Sequence, residues 1–495
     1  MKSFAGVITV VFLVVSVISF GCSKKNPEEP NNAPSTPAVP AGPSTGFIDS
    51  SYTFTSSATD PDGDSISIRF CWSNGDTSSW SSFVGSGDTV SMAHSYSQSG
   101  TFGIKAQAKD KNAAVSNWSD ALQFNIPGAG SGWAKLLGGS GEDVGKWVNA
   151  TSDGGYIIAG WTTSYGASAA DAYLAKADSS GNELWHTIIG GPVDEWIYSA
   201  CKTSDGGYVL TGTTDSYDPY WGSNDVYLLK ADGSGNEVWH KVIRCDPDSS
   251  GTEECAYSVK ETSDGGYILA GFRNNYDQDT LTQAYLVKTD ASGDKLWDKL
   301  FGGSGKDWAN SVAQTSDGGY IIAGATESFG ALLRDVYLIK TDASGNESWH
   351  KTFGGAGYDE GRSVCETSDG GYILAGYINS GDIYLIKTDA SGNELWSKTF
   401  GGTNYETAYS VQQTSDGGYI IAGITDSYGT GVEDVYLVKT DASGNELWSK
   451  TFGGADDDEG YFVQQLSNGG YIVVGKTQSP PASGGSDVYL IKTSD

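Results

Sequence analysis

A five-residue string, SDGGY or its variant SNGGY, recurs seven times in the 495-residue chain. The spacings between successive copies are 52, 59, 53, 52, 47 and 52 residues. The tyrosines of the string are Tyr156, Tyr208, Tyr267, Tyr320, Tyr372, Tyr419 and Tyr471. A second string, close to DVYLxKTDASGNELW, follows each of the first six copies. Self-similarity at a nearly fixed period predicts an array of repeated structural units.

Each repeat predicts four short β-strands. The copy that begins at Ala408 reads AYSVQQT, an Asp-Gly turn, YIIAG, a variable loop, VYLVKT, an ASGN turn and ELWSKTF. Asp-Gly and ASGN are typical of tight turns, and the β-branched and aromatic residues between them favour strands. Four-stranded units at this period are typical of β-propeller blades.

The two ends of the repeat region predict how its last unit is completed. The final unit stops at DVYLIKTSD without a fourth strand. A segment that matches the missing strand, GWAKLLGG, starts the region and has Trp133 at the position of the repeated tryptophan. We therefore expect residues 129–495 to form a seven-bladed β-propeller closed by the strand near Trp133, because closure leaves no free sheet edge.

Residues 47–128 consist of short alternating segments separated by turn residues, a pattern that predicts a β-sandwich. The stretches ATDPDGDSISIRFCWSNGD, HSYSQSGTFGIKAQAKD and SNWSDALQF resemble the PKD and fibronectin III-like modules of bacterial surface proteins. The resemblance implies an Ig-like sandwich with Trp72 in its core and a role as a spacer or adhesive module. The predicted fold class is therefore all-β, with the Ig-like sandwich followed by the propeller.

Residues 1–21 predict an export signal, because Lys2 precedes an apolar run that ends at residue 20. The following Gly-Cys pair resembles the lipobox of bacterial lipoproteins, although Ser19 replaces the leucine that the motif prefers. The resemblance implies that Cys22 is lipidated and anchors the chain to a membrane. The alternative is an uncleaved N-terminal membrane anchor.

Residues 22–46 contain six prolines, and such a segment predicts an extended, semi-rigid tether. The tether would hold the following domains away from the membrane. We therefore expect an exported, membrane-anchored lipoprotein at the cell surface or in the periplasm.

The cysteines predict one disulfide bond. Cys245 and Cys255 flank a short loop, CDPDSSGTEEC, and an exported protein can form such a bridge. Cys201 and Cys365 occupy the same position in non-adjacent repeats and are expected to be buried free thiols. Because no CxxC pair exists, the sequence predicts no zinc or redox site.

One acidic residue precedes the first predicted strand of every repeat. This acidic column comprises Asp143, Glu195, Glu254, Asp307, Asp359, Glu406 and Asp458. Seven carboxylates on one face could form an anionic rim for cations or for a cationic partner. The structural alternative is favoured, because a residue type repeated in every blade usually serves the blade. Each carboxylate would then accept hydrogen bonds from the glycine-rich turn beside it.

The DPDGD turn of the first domain is a candidate calcium site. Asp60, Asp62 and Asp64 alternate there and could supply oxygen ligands to Ca²⁺. Asp and Gly are also the residues that a tight turn requires, and this interpretation is favoured.

The loops after the second strand differ most between repeats and are the candidate ligand contacts. One loop carries Tyr217, Tyr220 and Trp221, and the next carries Arg273 and Tyr276. Exposed aromatic side chains near carboxylates suit the recognition of sugars or peptides.

These features favour a non-enzymatic binding or adhesion protein whose propeller recognises an extracellular glycan or protein. The alternative is an extracellular glycoside hydrolase or lyase with carboxylates on the loop face; a quinone-cofactor dehydrogenase is a weaker option. The sequence names no catalytic residue and no cofactor apart from Ca²⁺. With 61 acidic and 30 basic residues the net charge is −31, which argues against a nucleic-acid partner. We expect a monomer.

Overall fold

The computed structural model divides the chain into two compact units. The first comprises the chain up to Gly42, Thr53–Met92 and Gly103–Gln123, and the second comprises Pro43–Tyr52, Ala93–Phe102 and Phe124–Asp495. Structure is described for residues 30–43, 51–73, 76–96, 100–126, 132–166, 169–216, 224–244, 252–275, 281–379, 381–480, 482 and 485–493.

The regular elements of these residues are β-strands, so the described chain is all-β. Within the same residues, no helix has the length and apolar character needed to cross a membrane. The signal at 1–21 and Cys22 lie outside the described residues, as does part of the tether.

Six strands precede the repeats and form two sheets, with the orders β1-β4 and β3-β2-β5-β6. In the first unit, Trp72 is 5% exposed and stacks on Phe70, with 5.3 Å between the ring centroids. Trp72 is therefore a core residue. The strands are β1 (Ser51–Ser57), β2 (Ile66–Ser73), β3 (Asp76–Thr77), β4 (Thr89–Ser95), β5 (Gly100–Asp110) and β6 (Leu122–Ile126).

The repeats form seven four-stranded antiparallel sheets, which we call repeat sheets one to seven. The strands of sheets one to three are β8 (Asp143–Ala150), β9 (Tyr156–Thr162), β10 (Asp171–Ala177), β11 (Glu183–Ile189); β12 (Glu195–Lys202), β13 (Tyr208–Thr214), β14 (Asp225–Ala231), β15 (Glu237–Ile243); β16 (Thr252–Glu261), β17 (Tyr267–Asn275), β18 (Leu281–Thr289) and β19 (Lys295–Phe301).

Sheets four to six have the same strand order and nearly the same strand lengths. Their strands are β20 (Asp307–Gln314), β21 (Tyr320–Thr326), β22 (Asp335–Thr341), β23 (Glu347–Phe353); β24 (Glu360–Glu366), β25 (Tyr372–Ile378), β26 (Asp382–Thr388), β27 (Glu394–Phe400); β28 (Glu406–Gln413), β29 (Tyr419–Thr425), β30 (Asp434–Thr440) and β31 (Glu446–Phe452).

Repeat sheet seven takes its fourth strand from the start of the repeat region, as the sequence predicts. Its order is β32-β33-β34-β7, where β7 lies far from the other three in sequence. β7 and β34 pair antiparallel, with Trp133 opposite Lys492. The strands are β32 (Asp458–Gln465), β33 (Tyr471–Thr477), β34 (Asp487–Thr493) and β7 (Gly132–Leu137).

Hydrophobic clusters join each repeat sheet to the next one along the chain. The second and third strands of sheet one, β9 and β10, are buried at every position, so both faces of the sheet need an apolar neighbour. Seven clusters meet this need, and each draws its residues mainly from two successive sheets. One of them contains Val474 of sheet seven together with Ile158 of sheet one. Burial of apolar area on this scale is the dominant stabilising term in such a fold.

The repeated tryptophan and the ASGN glycine account for close contacts between sheets. Trp297 packs against Tyr320 of the next sheet, with 6.0 Å between the ring centroids. Gly345, in the last turn of that next sheet, lies over the same indole and has a φ of +76°. A Cβ at Gly345 would approach Trp297 to 2.5 Å, so both the backbone angle and the contact require glycine.

A lysine of the third strand is buried beneath the SDGG turn in six repeat sheets. In sheet five, Lys387 is 4% exposed and its Nζ lies 3.0 Å from Asp369 Oδ1. Asp369 also accepts hydrogen bonds from Thr367 Oγ1 and from the Gly371 amide. These hydrogen bonds, with that from Lys387, outweigh partial burial and lower the pKa of Asp369 to about 2. The pair thus neutralises a buried ammonium group.

We expect Asp369→Asn to lower the free energy of unfolding at pH 7 by about 1 kcal/mol, near the upper end for a solvent-exposed ion pair. The native pKa is below the unfolded value of about 4, so the carboxylate stabilises the fold above pH 4. This contribution is lost as the pH falls towards about 2. Urea unfolding of the wild type and the variant between pH 7 and pH 3 measures the difference.

A reciprocal variant serves as the control. Sheet seven has Asn468 in place of the turn aspartate, so Asn468→Asp should stabilise the fold at pH 7. A difference between Asp369→Asn and the wild type that stays constant with pH would contradict the charge-pair explanation.

Candidate binding site

The first strand of every repeat sheet contains a β-bulge at the third residue after the acidic column. In sheet six the pairing register shifts between Ala408 and Ser410, so Tyr409 has no residue opposite it on β29. A bulge turns the side chain of its extra residue away from the regular pleat. The residues at this position, which we call the bulge column, are Lys146, Tyr198, Tyr257, Asn310, Arg362, Tyr409 and Tyr461.

All seven side chains of the bulge column line one cavity of about 480 Å³. Trp308, Arg334 and Glu360 complete the lining. The volume lies within the range of about 300–1,000 Å³ that is typical of small-molecule sites. The cavity therefore joins residues from seven sheets at positions where the side chain has no role in strand pairing.

Glu360 is the carboxylate of the cavity lining, and four polar or cationic side chains surround it. Asn310 Nδ2 lies 3.0 Å from Oε1, and the Tyr377 hydroxyl lies 3.0 Å from Oε2. Arg334 donates to Oε2 at 3.3 Å, and Arg362 Nε lies 3.3 Å from Oε1. Glu360 is thus a fixed anion that orients its cationic neighbours.

The two arginines of the cavity differ in the number of carboxylates that they contact. Arg334 contacts Glu327 at 3.2 Å and Glu360 at 3.3 Å, and its guanidinium lies 4.3 Å from the Trp308 ring centroid. Arg362 contacts one carboxylate, that of Glu360, and lies 4.8 Å from the Tyr409 centroid. The buried Nε atoms of both arginines have no hydrogen-bond partner within the described part of the chain.

Lys146 supplies a third cation. Its Nζ lies 3.2 Å from the centroid of Tyr461, a cation–π contact. Desolvation lowers the pKa of Lys146 to about 7, Glu459 opposes this change, and the charges of Lys476 and Arg362 reinforce it. The amine is therefore divided between its charged and neutral forms near neutral pH.

The tyrosines of the bulge column meet in pairs. Tyr198 and Tyr257 lie edge to face with 5.3 Å between ring centroids, and Tyr409 and Tyr461 do so at 5.1 Å. Burial raises the pKa of all four phenols. They therefore stay protonated at neutral pH, and each hydroxyl can both donate and accept a hydrogen bond.

The acidic column lies inside the fold. Each of its seven residues is 0% exposed, so these carboxylates do not form a solvent-facing rim. In six of them a carboxylate oxygen accepts the amide hydrogen of a glycine four residues earlier; Asp458, for example, accepts from Gly454 at 2.7 Å. This geometry favours the structural interpretation of Asp143, Glu195, Asp307, Asp359, Glu406 and Asp458.

A second acid from the preceding sheet approaches the acidic column. Burial, followed by the charge of Glu195, raises the pKa of Asp171 to about 6. Gly190 lies between these two side chains, and a Cβ there would approach Asp171 Oδ1 to 1.9 Å. The double glycine after the fourth strand therefore leaves room for these two carboxyl groups, because it has no side chain to collide with them.

Glu254 differs from the other members of the column because it forms an ion pair with an arginine, Arg273, at 3.7 Å. Arg273 was predicted as a ligand contact, but the structure places it beside this buried carboxylate and outside the cavity lining. The other predicted contacts, Tyr217, Tyr220, Trp221 and Tyr276, lie outside the described residues.

The DPDGD turn of the first unit engages its carboxylates in local contacts. Asp60 Oδ1 accepts from the amides of Asp62 and Asp64, at 2.9 and 3.1 Å. Asp62 accepts from Asn32, and Asp64 forms a 2.7 Å ion pair with Lys111. Within the described ranges no group of three or more His, Cys, Asp or Glu side chains is arranged to hold a metal ion. The contacts favour the turn interpretation, and Ca²⁺ binding stays a prediction.

The described cysteines are free thiols. Cys201 is buried and Cys365 is half-buried. Cys255 is also a buried free thiol. Its predicted partner, Cys245, lies outside the described residues, so the Cys245–Cys255 bridge stays a prediction.

Sequence reasoning missed the bulge column, because it sought ligand contacts in the variable loops. A signal was nevertheless present. Three residues after each acid, the residue types are Lys, Tyr, Tyr, Asn, Arg, Tyr and Tyr, so every repeat has a side chain with a hydrogen-bonding group at this position.

Comparison with known proteins gives limited matches. No family model matches the chain. The regulatory protein FlaEY of Caulobacter vibrioides is 30% identical over 172 residues, which cover 31% of this chain. The match spans only 18% of the length of that protein.

Two solved structures have partial similarity. The PKD domain of an M14-like peptidase from Thermoplasmatales archaeon SCGC AB-540-F20 is 34% identical; the match covers 20% of this chain and 99% of that domain, with a TM-score of 0.19. The β-1,2-mannobiose phosphorylase of Listeria innocua is 9% identical; the match covers 73% of this chain and 90% of that one, with a TM-score of 0.23.

We expect Lys146 to titrate near pH 7, whereas lysine in a model peptide titrates above about pH 10. Competitive labelling of amines across this pH range, read by mass spectrometry, measures each midpoint. Glu459→Gln should lower the Lys146 midpoint, because Glu459 favours the charged form, and Arg362→Gln should raise it. If the labelling of Lys146 and that of the exposed Lys306 depended on pH in the same way, the desolvated environment of Lys146 would be contradicted.

Proposed function

We propose that the chain is an exported, membrane-anchored, non-enzymatic binding protein that holds an extracellular ligand, a glycan or a protein segment, in the bulge-column cavity. One observation carries the proposal. The bulge residue is tyrosine in four repeats, Lys146, Asn310 and Arg362 replace it in the other three, and all seven side chains converge on one cavity. Loss of repeat symmetry at a cavity is expected where a ligand, rather than the scaffold, selects the side chains.

The chemistry of the cavity supports binding over catalysis. A glycoside hydrolase needs two carboxyl groups that flank the scissile bond. Among the described residues that line the cavity, Glu360 is the single carboxylate, and several donors already contact it. The hydrolase or lyase alternative rests on Glu433, which lies outside this lining. Burial, followed by the charge of Glu459, raises the pKa of Glu433 to about 7.

We further propose that the seven repeat sheets are the blades of a closed β-propeller. The pairing of β7 with β34 and the apolar cluster that joins sheets seven and one support this arrangement. The cavity would then lie at the mouth of the central channel, because each first strand contributes one bulge residue. A propeller of this kind can act as a monomer, since its sheets leave only short edge strands for pairing with a second copy.

Export and anchoring at the cell surface or in the periplasm are supported by the sequence of residues 1–22. Expressed in a bacterium that processes lipoproteins, the full chain should partition into a detergent phase with the mass of an acylated Cys22. Cys22→Ser should remove the acyl mass and transfer the protein to the aqueous phase, and the control Cys71→Ser should behave as the wild type. A Cys22→Ser variant that stays in the membrane would instead favour the uncleaved anchor.

Binding of the full chain to a glycan array, with and without Ca²⁺, tests the proposed function. We expect a bound glycan class whose affinity falls about tenfold in Tyr409→Ala, a loss of about 1.4 kcal/mol. Tyr428→Ala is the matched control, because Tyr428 is exposed and lies outside the cavity lining. The absence of any bound glycan would leave a protein ligand. Cleavage of a bound polysaccharide that Glu433→Gln abolishes would favour the enzyme.

A further inference from the structure

The charge of the cavity is opposite to the charge of the chain. The formal net charge is −31, but the lining holds Lys146, Arg334 and Arg362 against the single carboxylate of Glu360. Cations in a partly desolvated cavity are costly unless an anion neutralises them. In the rest of the fold, buried lysines such as Lys387 do have a carboxylate partner.

Two of the three cations, Arg362 and Lys146, have fewer carboxylate partners than Arg334 and can still bind an anion. Arg334 is held by two carboxylates and by the face of Trp308. Among the described residues Arg362 has an ion-pair contact with Glu360 alone, and the Nε atoms of both arginines have no hydrogen-bond partner. Lys146 lies against the Tyr461 ring, and no carboxylate forms an ion pair with it in the described part of the chain. Arg362 lies over the Tyr409 ring and Lys146 over the Tyr461 ring, and the centroids of these two rings are 5.1 Å apart.

The remainder of the lining matches a polyhydroxylated ring. The four tyrosines of the bulge column supply protonated hydroxyl groups and aromatic faces, and Asn310 adds an amide. Aromatic faces pack against the C–H groups of sugar rings, and hydroxyl groups can both donate to and accept from sugar hydroxyls. A cavity of about 480 Å³ has the size of a small-molecule site and not of a site for a folded domain.

We propose that the cavity binds a carboxylate-bearing sugar, a uronate unit of an acidic glycan. Arg362 and Lys146 receive the carboxylate, since a guanidinium can donate two parallel hydrogen bonds to it. The tyrosine hydroxyls and Asn310 receive the ring hydroxyls. Glu360 is a positioning residue that holds both arginines at the cavity wall. This inference rests on the proposed function and narrows its ligand class.

Paired ligands test this proposal. Calorimetry measures the binding of the full chain to oligogalacturonate, oligoglucuronate and oligomannuronate. The methyl ester of each oligomer is measured as its control, because esterification keeps the sugar ring and removes the charge. At least one uronate should bind about tenfold or more tightly than its ester. Arg362→Gln and Lys146→Met should each reduce uronate affinity by about tenfold and leave ester affinity nearly unchanged. Arg362→Lys should retain part of the preference.

The control variant is Lys398→Gln, which makes the same change in net charge on the fourth strand of sheet five, outside the cavity lining. It should bind as the wild type does, and thermal unfolding should show that each variant is folded. Equal binding of esters and acids, or tighter binding of a sulfated neutral sugar or a glutamate-rich peptide, would overturn this inference and leave the binding function intact. If no glycan of any charge binds, the glycan form of the proposed function fails as well.

Discussion

Burial of both faces of the inner strands is the constraint on which the repeat region depends. β9 and β10 expose no side chain on either face, so a single repeat sheet could not be stable in water. Each sheet has to supply one apolar face to the sheet before it and one to the sheet after it. The tryptophan of the fourth strand and the glycine of the next ASGN turn bring neighbouring sheets into close contact. The repeated residues serve this packing.

The bulges give the scaffold positions that this packing does not use. A regular strand position both pairs with its neighbour and fills the core or meets solvent. A bulge residue such as Tyr409 has no opposite partner on β29, so its identity is less constrained by the sheet. The cavity can therefore hold cations within a strongly acidic chain, since the charge of Arg362 or Lys146 is set at a place where the sheets impose no fixed residue type.

The repeated features could be predicted from the sequence, and the site could not. Four strands per unit, the contribution of the strand at Trp133 and the local hydrogen bonding of the acidic column all follow from a pattern that occurs many times. A loop alignment does not reveal the carboxylate of Glu254, which lies beside Arg273 in the structure. The cavity residues lie about fifty residues apart in sequence, and only the bulge geometry, which leaves no local sequence motif, brings them together.

The pairing of β7 with β34 has a consequence for the order in which the chain can fold. Nearly the whole repeat region separates Trp133 from Lys492, so β7 has no sheet to join until the final strand has been synthesised and, in an exported chain, translocated. Closing so long a loop is slow and carries an entropic cost. The first six sheets can form in turn from local hairpins, while the seventh waits. Delayed pairing of β7 would therefore leave the seventh sheet incomplete until the final strand is available.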